Sequence, residues 1–193
     1  WAAAYTAMFQ KSVDTELLGT LVGRSTAAIG SILADHSGYP SAKPELIKRK
    51  AKYVLENLAT IPLIPGIADF LLRLTKAKIP YGIASNAPRV FLAAALTQHQ
   101  LPHTFYLGLE DYIRPKPDPE PYIKGAKKLN WQFSDHNSIA VFEDSTHGIE
   151  AALGAHMTAV GVCSQHSAER LLQAGASYCI QDFLDLEFLD EHF

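Results

Sequence analysis

The chain has 193 residues, 48% of them hydrophobic, with a formal net charge of −3 and a sequence pI near 6.2. That length and apolar content suffice to bury a core, as one globular unit or as a core with a small insert. The mild acidity, without any block of like charge, gives no electrostatic reason to expect a nucleic-acid partner, and no apolar run is long enough to span a bilayer.

The two cysteines, Cys163 and Cys179, lie in apolar runs without CxxC spacing. They read as buried free thiols in a reducing compartment rather than as a zinc site or disulfide framework. The sequence opens on Trp1, so its first residue is not expected to be a translation start. No basic-then-apolar leader opens it, and the expected location is cytoplasmic.

Residues 1–60 carry helical periodicity only. The stretch TELLGTLVGRSTAAIGSILADHSG reads as two short helices broken near Gly23, with Gly38 as a stop. In KPELIKRKAKYVLENL, Pro44 suits a first helical turn, and Ile47, Ala51, Val54, Leu55 and Leu58 recur on one face. Lys48, Arg49, Lys50 and Lys52 fall mostly elsewhere and are expected to form a solvated face.

Beyond TIPLIPG the pattern changes. The amphipathic helix GIADFLLRLTKAK precedes the short β-rich run PYGIASN, the helix PRVFLAAALTQHQ and the weak strand HTFYLGL. The helix PEPYIKGAKKLN, the strand SIAVFEDS and the helix THGIEAALGAH come next, then the strand MTAVGVC, the helix SAERLLQAGA, a short SYCI and an acidic-apolar ending. Strands alternating with helices predict an α/β fold whose parallel sheet is covered on both faces. The expected organisation is a helical domain over residues 1–60 and an α/β core over residues 61–193.

Parallel sheets bind ligands at the carboxyl ends of their strands, and polar groups stand at such ends here. Ser85 and Asn86 precede a helix start, where backbone N–H groups and the helix dipole favour an anion such as phosphate; either residue also suits a plain helix cap. Lys116 sits in RPKPDPEPY, whose prolines stiffen the loop and keep it out of a helix until about Pro119. It reads as an inward ammonium or as a solvated lysine, and Asp118 as an N-cap. Glu143 and Asp144 are adjacent where a strand gives way to a helix. Two carboxylates held together repel, and a divalent cation such as Mg²⁺, which takes one or two protein carboxylates, relieves that. The alternative is that Asp144 or Ser145 caps the next helix while Glu143 is solvated. His147 and His156 form no evident ligand set and read as surface or satisfied core histidines.

The segments IASNAPR, RPKPDPEPY and VFEDSTHGIEAALGAHMTAVGV, in that order, resemble the second, third and fourth motifs of the haloacid dehalogenase superfamily. The resemblance is closest to its β-phosphoglucomutase-like and sugar-phosphate or phosphoglycolate phosphatase branch. The helical residues 1–60, with LVGRS, resemble that branch's α-helical cap, and LLQAGASYCIQDFLDL resembles its usual ending. It implies a Rossmann-like parallel-sheet core with a helical cap, a monomer, and a small phosphorylated metabolite as substrate. Ser85 would hydrogen-bond the transferring phosphoryl group with help from Asn86, and Lys116 would neutralise the phosphate and the nucleophile. Asp144 would bind Mg²⁺, with Glu143 as a direct or water-mediated second acidic ligand. Arg24 would face the substrate or serve the cap structurally.

The family's first motif, an apolar strand ending D-x-D-x-[TV], is absent, and neither Asp14 nor Asp35 follows a strand. By resemblance, Trp1 falls within the first cap helix, which implies residues ahead of it that include the nucleophilic aspartate and the sheet's central strand. His156 stands where the family usually has a small residue. The expected activity is a Mg²⁺-dependent phosphatase working through an aspartyl-phosphate intermediate. A phosphosugar mutase is the alternative, although the cap position corresponding to Thr26 tends to be basic in those mutases. A catalytically inactive binding module is the third reading.

Overall fold

The computed structural model of the chain describes residues 1–22, 24–131 and 138–184. The break expected at Gly23 and the acidic-apolar ending beyond Leu184 lie outside them. The chain divides into two compact units, Trp1–Ile61 and Pro62–Phe193.

The first unit is helical, with α1 (Ala2–Phe9), α2 (Thr15–Thr20), α3 (Thr26–Ser37) and α4 (Lys43–Glu56). Side-chain oxygens start two of them: Asp14 accepts from Glu16 N at 2.9 Å and Ser25 from Ala28 N at 3.2 Å, each filling one of the donors a helix start leaves open. Gly38 ends α3 at φ +86°, a left-handed backbone that glycine adopts without strain. Tyr5, Leu33 and Leu46 are fully buried at the centre.

The buried stripe of α4 differs from the one its spacing predicts. Leu46 is completely buried while Leu55 is exposed. The helix packs against α1 as well as α3, which rotates its inner face toward residues 46, 47 and 50. Of the four basic residues, Lys48, Arg49 and Lys52 are exposed as expected, but Lys50 is half-buried with its ammonium 5.5 Å from the Trp1 ring centroid. Burial lowers its pKa.

The second unit alternates helices and strands: α5 (Ile67–Ala77), β1 (Ile83–Ala84), α6 (Arg89–Gln98), β2 (Tyr106–Leu107), α7 (Glu120–Lys128), β3 (Ala140–Glu143), α8 (Thr146–Gly154), β4 (Thr158–Val162), α9 (Ala168–Gln173) and β5 (Tyr178–Ile180). All observed pairings are parallel. Among the described residues, however, the strands form two ladders, β1–β2 and β3–β4–β5, rather than the one sheet the alternation predicts. The division falls between β1 and β3, where no described strand pairs with both.

The period-2 pleat of the larger ladder sorts its side chains onto two covered faces. Val141 and Ala159 join Ile149, Ala152 and Leu171 of α8 and α9. Phe142, Val160 and Val162 turn the other way, against Phe70 of α5 and Phe183. The Phe70, Phe142 and Phe183 ring centroids lie 5.1 to 5.5 Å apart, the spacing of favourable aromatic pairs.

The proline-rich loop before α7 is fully tied. Prolines at 115, 117 and 119 lack an N–H, and each of the remaining amides from Ile113 to Glu120 has an acceptor. Ile113 N and Arg114 N both donate to the Glu120 carboxylate at 3.0 Å, Lys116 N to Asn86 Oδ1 at 3.0 Å, Asp118 N to Pro115 O at 3.0 Å, and Glu120 N to Asp118 Oδ1 at 2.9 Å. Asp118 thus serves the start of α7, as its sequence position suggests.

At the entrance to α5, Gly66 has φ +78°, and a Cβ there would meet the Phe183 backbone, whose N–H donates to Pro65 O at 2.9 Å. Gly66→Ala is expected to destabilise the second unit by about 2 kcal/mol or more, from the left-handed backbone and the clash together, read as a lower urea midpoint. Lys124 and the Ile113 and Arg114 amides hold the Glu120 carboxyl down, from 4.5 to about 2. A carboxyl lowered on folding stabilises above its unfolded pKa, and that contribution fades as pH falls toward the folded one. Wild type should therefore melt above Glu120→Gln at pH 6, with the difference narrowing steadily below pH 4.5.

Candidate active site

Glu143 closes β3 and Asp144 follows it, and the pleat sends their side chains apart. Glu143 lies on the α8 side with 8% of its surface exposed. Its Oε1 accepts from the Lys116 ammonium and from the Tyr122 hydroxyl, and its Oε2 accepts from Ser145 Oγ at 3.2 Å. Gly148 of α8 makes room for this carboxylate, because a Cβ there would overlap it. Ser145 caps α8, accepting from Gly148 N at 3.1 Å. The helix-cap reading thus holds for Ser145, but Glu143 is buried rather than solvated.

Lys116 is as buried as its partner, 9% exposed. Its Nζ also donates to Ala84 O at the end of β1, at 2.9 Å, and stands 4.6 Å from the Tyr122 ring centroid. The inward reading of this lysine is the one the structure realises. Desolvating two charges is tolerated only where their hydrogen bonds are completed. Removing one partner of such a pair typically costs about 3–5 kcal/mol.

Asn86 holds the lysine loop by its backbone: Oδ1 accepts from Lys116 N at 3.0 Å, and Nδ2 donates to Lys116 O at 3.1 Å. Tyr112 OH donates to the Ser85 carbonyl and, at 3.2 Å, to Asn86 Oδ1. Asn86 is therefore a brace between the β1 end and the Lys116 loop, not a helix cap, and its side chain is committed to that task. Ser85 Oγ accepts from Ala87 N at 3.2 Å, which leaves its hydroxyl proton for another acceptor.

The start of α6 differs from the anion site its position suggests. Arg89 N donates to the Glu110 carboxylate at 2.7 Å, and the Arg89 guanidinium bonds Asp111 at 2.8 Å over the Tyr106 ring. A protein carboxylate already meets the helix dipole there.

Asp144 accepts from Ser164 Oγ, beyond β4, at 3.3 Å. Burial and the neighbouring Glu143 charge raise its pKa, against the smaller opposing pulls of the Ser164 hydrogen bond and Lys116. The ordinary cause of such a rise is unbalanced negative charge in a poorly solvated place. Among the described residues no group of three or more His, Cys, Asp or Glu side chains is arranged to hold a metal. The half-buried Asp144 carboxylate still fits Mg²⁺ as a single protein ligand, since that ion keeps waters and substrate oxygens in its shell. Ser85, Asn86, Lys116, Glu143 and Asp144 therefore gather at the carboxyl ends of β1 and β3. Arg24 belongs to the helical unit, exposed, its Nε donating to Thr20 O at 3.5 Å.

Sequence reasoning missed Tyr112, Tyr122 and Ser164. Ser164 stands at a strand end like the others, so the same rule would have reached it. The tyrosines carry no local signal beyond that of core aromatics. His147 also departs from expectation: its Nδ1 is buried without a hydrogen-bond partner. His156 adopts φ +59°, the left-handed region where a glycine is least strained.

The family model of haloacid dehalogenase-like hydrolases matches residues 2–162. The validoxylamine A 7'-phosphate phosphatase of Streptomyces hygroscopicus subsp. limoneus is 31% identical over 83% of this chain and 75% of its own. Among solved structures, a hydrolase from Pseudomonas syringae superposes with a TM-score of 0.84 at 22% identity, covering 99% of this chain and 90% of that one. The β-phosphoglucomutase of Clostridium difficile gives 0.76 at 21% identity, covering 98% and 90%. The motif order and the family match over most of its length agree: the chain belongs to the haloacid dehalogenase-like hydrolases.

Proposed function

We propose that the protein is a Mg²⁺-dependent phosphatase that hydrolyses a small phosphorylated metabolite of the sugar-phosphate type through an aspartyl-phosphate intermediate. The observation that carries this reading is the buried Lys116–Glu143 pair beside Asp144 and Ser85. It supports the reading because one fixed cation and one hydroxyl donor would supply the charge compensation that phosphoryl transfer chiefly requires.

In this reading Ser85 Oγ–H and the third N–H of Lys116 meet the phosphoryl oxygens, while the Asn86 side chain keeps the lysine loop in register. Asp144 holds the Mg²⁺, and Glu143, with both oxygens engaged by protein donors, takes the outer, water-mediated part. When bound, Mg²⁺ would neutralise charge on the phosphoryl oxygens. In this reading Trp1–Ile61 acts as a cap that excludes water, and Arg24 is its candidate substrate contact. Thr26 opens α3 as a neutral residue, which favours hydrolysis over a mutase. We further infer a cytoplasmic monomer, without nucleic-acid or membrane partners; no described helix is long and apolar enough to cross a membrane.

The test uses the full-length gene product. Mg²⁺ with beryllium fluoride, a phosphoryl mimic, should raise the melting temperature, since a ligand of the folded state must stabilise it. Asp144→Asn should abolish that rise and the hydrolysis of para-nitrophenyl phosphate together. A wild-type protein that neither shifts nor hydrolyses phosphate esters would refute the assignment.

A further inference from the structure

We propose that Tyr122 is a positioning residue of this site, holding Lys116 and Glu143 in one arrangement through its hydroxyl and its ring face. The inference rests on the phosphatase reading above. Tyr122 lies in the first turns of α7, and the tied loop turns back so that its ring lies beside the Lys116 ammonium.

Packing alone does not explain the residue. Tyr122 is 9% exposed within the cluster of Ile149, Ala152 and Leu171, where phenylalanine would fill nearly the same volume. A hydroxyl buried there is unfavourable unless it is bonded, and this one donates to Glu143 Oε1, the oxygen that also receives Lys116.

The consequence lies in how Lys116 divides its donors. An ammonium has three N–H groups; Ala84 O and Glu143 take two, which leaves one for a ligand. The Tyr122 hydroxyl satisfies part of the Glu143 charge, so the carboxylate does not draw the ammonium wholly to itself. The ring face supports the ammonium from another side. Without the hydroxyl, Glu143 Oε1 keeps Lys116 as its donor, and less of the lysine's charge reaches a phosphoryl group. The loss should be felt most when charge develops in the transition state.

The experiment compares full-length wild type, Tyr122→Phe and Tyr122→Leu with para-nitrophenyl phosphate and Mg²⁺, well below their melting temperatures. The melting shift with Mg²⁺ and beryllium fluoride is read alongside. Tyr122→Phe should lower kcat about tenfold, the size of one hydrogen bond to a charged group, with KM nearly unchanged and a smaller melting shift. Tyr122→Leu, which also removes the ring, should lose more; if it does not fold, Tyr122→Phe decides alone. An unchanged kcat in Tyr122→Phe, or a loss carried by KM, overturns the positioning role and leaves the phosphatase reading standing. A wild type with neither hydrolysis nor a melting shift overturns both.

Discussion

The buried ion pair between Lys116 and Glu143 is the constraint around which the second unit is arranged. Two charges removed from water are stable only if their remaining donors and acceptors are met, and here the partners come from separate elements. The end of β1 supplies the Ala84 carbonyl, α7 the Tyr122 hydroxyl, and the start of α8 Ser145. Ser145 also caps α8, so the pair is tied to the start of that helix. Displacing any of the elements therefore exposes an unmatched charge, which makes the geometry of the strand ends cooperative rather than local.

The same constraint explains features that would otherwise look unrelated. Gly148 sits in the first turn of α8 because the Glu143 carboxylate occupies the space of its missing Cβ. The proline-rich loop keeps few amide donors, and all those from Ile113 to Glu120 are bonded. A loop with little conformational freedom left loses little entropy in fixing its lysine. Asn86, far away in sequence, reads both the N–H and the carbonyl of Lys116 and thereby ties that loop to β1.

Much of this was legible in the sequence, for physical reasons. Apolar periodicity marked α4 and α5, Gly38 marked the end of α3, and polar residues near strand ends and in the proline-rich loop singled out Ser85, Lys116, Glu143 and Asp144. What stayed hidden depends on partners remote in the chain. The inner face of α4 is set by two helices at once, so spacing alone placed Leu55 inside and overlooked Leu46. Tyr122 and Tyr112 are aromatic residues whose hydroxyl bonds no pattern encodes. The helix start at Arg89 looked like an anion site because its occupant, Glu110, lies 21 residues on.

The adjacent carboxylates show how one strand end yields two chemistries. Alternation along β3 turns Glu143 under α8 and leaves Asp144 toward Ser164. One internal cation serves the first, whose charge is consumed by the fold. Burial and the Glu143 charge raise the pKa of the second, against the opposing pull of Lys116. The pleat thus divides the pair: Glu143 meets its donors inside the fold, while Asp144 turns toward Ser164 beyond β4.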